Sequence, residues 1–186
     1  MKRSARNCWI WRIVDAEPWY SYVREDMLNG VLRQGWSPQG VDITKGVTAY
    51  IKALEANGWS VSDEEDSRGI GAVKRFKVLE KMLRIQVGDR IIVPKVSAVN
   101  SHSGDHFIIL EVIRPYHVSQ FGHNHNDFNH GVGVKTLASY NYYDNDLTAT
   151  LAEKLNAKYP YGAAVNRIGS TNAYLRSDIE KLINLK

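Results

Sequence analysis

Strand-like runs and segments of helical spacing divide the chain into recognisable elements. Residues 7–14 (NCWIWRIV) are dense in β-forming side chains and predict an opening strand, in which the two-residue period places Trp9 and Trp11 on one face. A loop rich in Gly and Pro at residues 33–40 and an acidic loop at residues 60–71 interrupt the next part of the chain. Around these loops, the apolar spacing predicts amphipathic helices at residues 17–32, 47–57 and 72–83.

The second half of the chain is predicted to contain most of the β-structure. Strand patterns occur at residues 90–94, 131–137 and 163–168, and a longer one runs from residue 106 to 112 or beyond and ends near Arg114 and Pro115. Residues 138–146, rich in Tyr and Asn, are expected to be irregular, and helices are predicted at residues 147–157 and 176–185. Because the strands are grouped rather than alternating with helices, the order favours an α+β fold in a single domain spanning residues 1–186.

Composition limits the function classes without choosing one. The 186 residues carry a net charge of +4, which favours a polyanion such as nucleic acid as partner. Cys8 is the only cysteine, which excludes an internal disulfide and fits a reducing compartment. No apolar run approaches the roughly 20 residues needed to cross a bilayer, and the basic N-terminus lacks the apolar stretch of a signal peptide. We therefore expect a cytoplasmic protein without a membrane partner.

Five Trp and ten Tyr are the most unusual feature of the composition, because aromatic side chains either fill cores or stack on flat ligands. Trp36 lies in a polar loop between glycines, so ligand stacking is our first hypothesis for it and loop anchoring is the alternative. Trp59 is a candidate to cap a pocket formed around Trp36, although helix packing is the more usual role for such a residue. Trp9 and Trp11 share a strand face, so at least one of them is expected in the core.

Several stretches, taken in order, resemble the EVE and YTH branch of the PUA-like superfamily. They are the opening NCWIWRIV, the loop GVLRQGWSPQG, the segment RFKVLEKMLRIQVGDRIIVPKV with GDHFIILEVIRPY, and NDFNH before the next strand. The resemblance covers roughly residues 7–137 and implies a small mixed β-barrel flanked by helices. A helical insertion at about residues 41–71 and a C-terminal helical extension at residues 138–186 complete it. Residues 108–110 (IIL) depart from the glycine and alanine usual in these families.

The resemblance implies a pocket for one flipped, modified and in particular methylated nucleobase. A base can be inspected fully only outside the stack, where aromatic side chains replace its lost stacking. The implied role is a DNA (rather than RNA) specificity domain of a restriction or defence system, acting with a nuclease or NTPase effector in fusion or in trans. The base-binding candidates are Trp36, Trp9, Trp11, Gln34 and Trp59. The candidates for a phosphate-binding rim are Arg33, Lys95, Arg90 and Arg114.

The rival feature is a histidine-rich stretch, whose ligand types and spacing would suit a metal-dependent hydrolase. It comprises His123, His125, Asp127 and His130. Interleaved asparagines favour instead a hydrogen-bonded loop beside the nucleic-acid groove, which His130 fixes through a buried hydrogen bond. Ile113 stands where a metal-dependent nuclease pattern needs lysine, and no G-x-S-x-G or P-loop motif occurs. We therefore predict no metal, cofactor or catalytic set, and keep a module for another small ligand as the third hypothesis.

Overall fold

The structure is a computed structural model that describes residues 6–14, 17–62, 71–96, 105–120, 122, 127–158 and 164–185. Within these residues, the strands are β1 Cys8–Trp11, β2 Val31–Gln34, β3 Arg90–Val96, β4 His106–Val118, β5 His130–Asn141 and β6 Val165–Arg167. The α-helices are α1 Trp19–Leu28, α2 Gly46–Ala56, α3 Ala72–Glu80, α4 Asp146–Lys158 and α5 Ala173–Asn184. Short 3-10 segments adjoin α2, α3 and α5 at Ile43–Lys45, Lys81–Arg84 and Ser170–Asn172. None of the described helices is long and apolar enough to cross a membrane.

The strands form one mixed sheet that curls into a half-barrel. Their order is β2-β5-β4-β3-β1-β6, with β1 parallel to β3 and the other neighbouring pairs antiparallel. The indole Nε1 of Trp11 on β1 donates a hydrogen bond of 3.3 Å to the carbonyl oxygen of Arg33 on β2. Three strands separate β1 from β2 in the sheet. The contact therefore requires the sheet to curl, with the Trp11 ring inside.

The central strands are buried on both faces, which explains their continuous apolar runs. In β3, Ile91 and Val93 face the inside of the curl, whereas Ile92 faces the outside. The inner core includes side chains of α2 and α3, namely Tyr50, Leu54, Phe76 and Leu79. The outer core includes side chains of α4 and α5, namely Leu151, Leu155, Leu175, Ile179 and Leu182. The C-terminal helices thus cover the back of the sheet.

The turn at Asp89 anchors the opening strand to the sheet. Asp89 is buried, and its carboxylate accepts hydrogen bonds from the backbone N–H groups of Asn7 at 3.0 Å and Gln86 at 3.1 Å. The indole Nε1 of Trp9 donates to the same carboxylate at 2.8 Å. The Asp89 carbonyl oxygen accepts a further hydrogen bond from the Val112 N–H. A buried carboxylate needs such donors, and here they fix β1 to the turn before β3, while the backbone bond from Val112 fixes β4 to the same turn.

The sequence pattern misses β2. Residues 31–34 fall at the end of a predicted helix and the start of a predicted loop, yet they form a strand. The reason is pairing with β5, which runs from Val31 opposite Gly133 to Gln34 opposite His130. With only two apolar residues in VLRQ, the local pattern does not reveal a strand whose stability comes from its partner.

Three strands extend past their predicted ends. β3 continues beyond Pro94 with a register shift after Val93. β4 continues through Pro115, and its register against β5 shifts around Arg114. Proline is tolerated at such bulges, where the regular ladder of hydrogen bonds is already interrupted. β5 reaches Asn141, through residues expected to be irregular.

We predict that Asp89→Ala destabilises the protein by about 3 kcal/mol or more, because it leaves several buried donors without an acceptor. Urea unfolding followed by circular dichroism measures the loss. The control is Glu55→Ala, which removes an exposed carboxylate on α2 and should change the free energy of unfolding by no more than about 0.5 kcal/mol. Equal, small losses for both variants would show that the Asp89 turn does not anchor β1.

Candidate functional site at the Trp36 loop

The Trp36 loop, residues 35–38, comes directly after β2. Trp36 has a φ of +81°, in the left-handed region that bulky residues rarely occupy. This conformation costs an L-residue about 1–2 kcal/mol, so the surrounding structure must hold it. Gly35 permits a close approach, since a Cβ there would lie 3.2 Å from a ring carbon of Phe128 and 3.3 Å from the Asp127 carboxylate.

Three hydrogen bonds to the loop backbone hold Trp36 in this conformation. One carboxylate oxygen of Asp127 accepts from the backbone N–H of Trp36 at 2.5 Å and from that of Ser37 at 3.1 Å. The hydroxyl of Tyr50, on α2, donates to the Trp36 carbonyl oxygen at 2.5 Å. Burial raises the pKa of Tyr50, which keeps this hydroxyl protonated at neutral pH. A strained residue held so firmly suggests a role for its side chain.

A buried histidine at the start of β5 fixes the side chain of Ser37. His130 is fully buried, with its Nε2 at 2.6 Å from the Ser37 hydroxyl and its Nδ1 at 3.0 Å from the Tyr116 hydroxyl. The Tyr116 ring also stacks on the imidazole, with ring centroids 5.9 Å apart. Burial lowers the pKa of His130 to about 4, so the ring is neutral at pH 7. His130 therefore holds the loop through a buried hydrogen bond.

A bulge in β4 brings Tyr116 into this position. Arg114 pairs with Gly133 and His117 pairs with Gly131, so β4 has one more residue than β5 over this stretch. The Arg114 guanidinium and the His117 imidazole hydrogen-bond to each other at the surface. Tyr116 lies between them in sequence but packs against the inner core. The irregular register thus separates a surface pair from an inward-facing tyrosine.

Gln34, the last residue of β2, lies beside His130 in the sheet. The two residues are directly opposite in the β2–β5 register, so their side chains share the inner face. The Gln34 side chain is buried, and within the described part of the chain its Oε1 has no hydrogen-bond partner. An open acceptor therefore lies at the end of β2, two residues before Trp36.

The rings of Trp36 and Trp59 are half-buried and pack against the inner core. The Trp59 backbone N–H donates to the Leu54 carbonyl oxygen at 2.9 Å, which fixes the chain just after α2. A half-exposed indole can stack on a flat, neutral ring. Both residues therefore remain candidates for ligand contact, and Trp36 is the one whose backbone is specially constrained.

Trp9 and Trp11 are core residues. Both rings are buried, with exposed fractions of 2% and 0%. Each indole N–H has a partner inside the fold, which is Asp89 for Trp9 and the Arg33 carbonyl oxygen for Trp11. Rings enclosed in this way cannot stack on a ligand, so the predicted pocket role is wrong for both.

Two of the predicted rim residues hold the fold instead. Arg90 is buried and ion-paired with Glu111 and with Glu180, the second pair at 3.6 Å. Hydrogen bonds from Lys135 and Arg90 lower the pKa of Glu111 to about 2, so the pair stays charged at neutral pH. Arg33 is likewise buried, and its guanidinium contacts oxygen atoms of Asp26, Ser119, Gln120 and Phe128. Neither arginine is placed to meet a phosphate.

The other two predicted rim residues are not together. The Lys95 backbone has a φ of +56° and donates from its N–H to the Tyr142 hydroxyl at 2.7 Å, just past the end of β5. The Trp36 loop is instead bound at the start of β5, by His130. Arg114 is exposed and pairs with Gly133 near that start. Of the four, Arg114 thus combines exposure with a position near the loop.

The histidine-rich stretch is only partly described, because His123 and His125 lie outside the described residues. Asp127 binds the Trp36 loop, and both ring nitrogens of His130 already have partners. In the part of the chain that the structure describes, no group of three or more His, Cys, Asp or Glu side chains is placed to hold a metal ion. Asp127 and His130 are therefore structural residues of the loop rather than free ligands.

Ser37, Tyr50 and Tyr116 belong to the site but are not predicted from the sequence. Their partners are distant, since Tyr50 bonds a residue 14 positions away and Ser37 one that is 93 positions away. Tyr50 falls on the apolar face of a helical pattern, where a tyrosine ordinarily indicates a core position. Only the proximity of Ser37 to Trp36 offers a local signal.

A cationic ridge runs along α3 and the 3-10 segment after it. Its basic side chains are three, four and three positions apart, which keeps them on one side of the helix. The ridge consists of Lys74, Lys77, Lys81 and Arg84. Lys74, Lys77 and Arg84 are exposed and, within the described residues, pair with no carboxylate. Burial and the nearby Arg84 lower the pKa of Lys81, as expected where cations gather without an anion.

The ridge belongs to the same layer of helices as the Trp36 loop. On the buried side of α3, Phe76 packs against Tyr50 of α2, with ring centroids 5.5 Å apart. Tyr50 in turn bonds the Trp36 carbonyl oxygen. Tyr50 therefore links the loop to α3, the helix that carries most of the ridge.

Comparison with known proteins adds little to this description. No protein-family model matches the chain, and no curated protein sequence matches it. The chain is similar to protein Atu2648 from Agrobacterium tumefaciens, with 15% sequence identity and a TM-score of 0.37 over 94% of this chain and 92% of that chain. Similarity at this level supports no conclusion on function. The class that the structure itself defines is an α+β protein with a curled, half-barrel sheet and helices on both faces.

We predict that acidification destabilises the fold through His130. Its pKa is 6.5 in the unfolded reference and about 4 in the folded protein. The unfolded chain therefore binds the additional proton between these values, so the free energy of unfolding falls as the pH drops from 6.5 towards 4. The full effect is about 3 kcal/mol at most, and urea unfolding at a series of pH values measures it.

His130→Gln retains hydrogen-bonding groups but cannot be protonated, so it should flatten the dependence in this window. His117→Gln is the matched control, since burial also lowers the pKa of His117 but its side chain is less enclosed. That variant should keep most of the slope. A wild-type protein equally stable at pH 7 and pH 5 would contradict the assignment.

Proposed function

We propose that the protein is a binding module that stacks a flipped nucleobase on Trp36 at the open edge of its inner core. The observation that carries this proposal is the left-handed backbone of Trp36, held by Asp127 and Tyr50 while the ring stays half-exposed. If position 36 only had to form a loop, glycine would adopt the same backbone conformation without strain. The strain is accounted for if the ring has a task outside the core.

The energetics are adequate for such a task. Extrusion of a base costs a few kcal/mol, and stacking on an aromatic side chain returns about 1–3 kcal/mol per base. The conformational cost of Trp36 is met during folding, because hydrogen bonds inside the protein already fix the loop. Binding therefore has less ordering left to accomplish, which favours affinity.

Nucleic acid is the proposed source of the base because of charge. The chain has a net charge of +4, and the exposed Lys and Arg of the cationic ridge lie along α3 and the 3-10 segment after it; α3 packs against the loop-binding Tyr50. Such side chains bind phosphates regardless of sequence. The resemblance to EVE and YTH domains extends the proposal to a modified base in DNA, read for a restriction or defence system with a separate effector.

Trp36→Ala should weaken binding of a suitable oligonucleotide by about 10- to 100-fold, the equivalent of one lost stacking contact. Trp36→Phe keeps an aromatic face and should lose less. Fluorescence anisotropy with oligonucleotides that carry adenine, N6-methyladenine, cytosine or 5-methylcytosine at one position gives the affinities. Tyr143→Ala removes an aromatic ring that is 81% exposed and should have no effect. Wild-type affinity of Trp36→Ala for every oligonucleotide would refute the stacking site.

The ridge yields a separate prediction on salt. The double variant Lys77→Gln/Arg84→Gln should bind duplex DNA with a weaker salt dependence. The magnitude of the slope of log K, the logarithm of the binding constant, against log salt concentration should fall by about 2, since two phosphate contacts are lost. Arg6→Gln with Lys181→Gln removes the same charge from exposed positions outside the ridge and is the control. The two double variants should differ in slope. If they do not, the ridge makes no specific phosphate contact.

A further inference from the structure

Gln34 presents an unusual combination of burial and an unused hydrogen-bond acceptor. Its exposed fraction is 7%, and its Oε1 has no hydrogen-bond partner among the described residues. Most buried polar atoms in proteins are satisfied, so an exception invites a functional explanation. This unsatisfied acceptor lies at the end of a strand, directly before the strained Trp36 loop.

The neighbours of Gln34 do not supply the missing donor. His130, opposite it in the sheet, has both ring nitrogens occupied by Ser37 and Tyr116. The backbone N–H of Ser37 is bound to Asp127. Arg33 precedes Gln34 on the strand, and its guanidinium is engaged with other oxygen atoms. These neighbouring groups thus bond other atoms, and none of them donates to Oε1.

The inner face beside Gln34 also favours a neutral ligand. His130 is uncharged at pH 7, and its partners Ser37 and Tyr116 are hydroxyl groups. Asp127 is the acidic residue bound to the loop, and the loop N–H groups already hydrogen-bond to one of its oxygens. A cation such as a methylated lysine is ordinarily held by aromatic rings acting on its charge. A neutral amide among hydroxyl groups is better suited to a neutral donor.

We infer that Gln34 Oε1 accepts a hydrogen bond from the exocyclic amino group at N6 of adenine or N4 of cytosine when that base stacks on Trp36, so that the site selects adenine-type or cytosine-type bases. This inference rests on the proposed function. Thymine and uracil present a carbonyl oxygen at that edge, and so does guanine. With the Gln34 amide oriented as in the structure, where Oε1 is the buried atom, two acceptors would then face each other without a proton between them. A site built around a hydrogen bond rejects analogues that lack the partner group.

The same geometry sets a limit on methylation. An N6-monomethylated adenine keeps one N–H on its exocyclic nitrogen, and 5-methylcytosine keeps both. N6,N6-dimethyladenine has none. The site should therefore accept the first two modifications and reject the third, although the third carries the most apolar surface.

The test uses the full chain and oligonucleotides of one sequence with a single unpaired target base. The targets are adenine, N6-methyladenine, N6,N6-dimethyladenine, unsubstituted purine and thymine. Wild-type protein should bind adenine and N6-methyladenine at least about tenfold more tightly than the other three, as for the loss of one base-edge contact. Equal wild-type affinity for purine, dimethyladenine and adenine would overturn the inference.

Gln34→Met is the decisive variant, because it conserves size while it removes the acceptor. It should lose the discrimination between adenine and dimethyladenine, and its stability to urea should not fall, since among the described residues no hydrogen bond uses Oε1. Gln39→Met, which alters an exposed glutamine just beyond the same loop, should discriminate like the wild type. A Gln34→Met variant that keeps full discrimination refutes the role of Oε1.

Failure of this inference can be told apart from failure of the proposed function. If wild-type binding depends on Trp36 but ignores the amino group, the stacking site stands and the role of Gln34 is wrong. If no oligonucleotide shows binding that depends on Trp36, the proposed function itself is wrong.

Discussion

The docking of β2 at the edge of the curled sheet is the constraint on which the site depends. β2 pairs with β5 on one side and receives the Trp11 indole N–H on its Arg33 carbonyl oxygen. The hydrogen bond from Trp11 to Arg33 connects β1 to β2 across the curled sheet and fixes the position of Arg33 near the end of the strand. Gln34 is the last residue of β2 and the Trp36 loop follows directly, so the sheet determines their positions. A site supported in this way is more accurately placed than one carried by loop residues alone.

The polar residues of the site hold the conformation of the Trp36 loop. Asp127 binds backbone N–H groups, and His130 joins Ser37 to Tyr116. The low pKa of His130 results from its burial, and both of its ring nitrogens already have hydrogen-bond partners, which leaves neither of them free to bind a metal ion. The residue types that suggest a hydrolase in the sequence are thus, for this pair, the means by which a strained loop is kept rigid. Rigidity of this kind favours binding, since less order has to be imposed when a ligand arrives.

Local pattern and long-range pairing explain what the sequence could and could not predict. Strand periodicity places Trp9 and Trp11 together on the inner face, and the apolar runs of β3 and β4 identify the central strands. β2 is invisible to the same reasoning because VLRQ becomes a strand only beside β5. The charge of a single residue likewise does not reveal whether its side chain is exposed or buried in an ion pair. Arg90 stands next to a turn, where an arginine is usually exposed, but it is held by Glu111, 21 positions away.

The tryptophans show how a core residue and a binding residue of the same type can be told apart. Trp9 and Trp11 have buried rings and satisfied indole N–H groups, with every polar atom of the side chain used inside the protein. Trp36 has the reverse arrangement, because its hydrogen bonds are made by the backbone. Among the described residues its indole N–H has no partner. An indole without an internal partner, on a backbone held against strain, is the feature that supports the proposed binding role of Trp36. In the proposed function, a flat heterocycle with polar edges is the ligand that would contact both the Trp36 ring and the Gln34 acceptor.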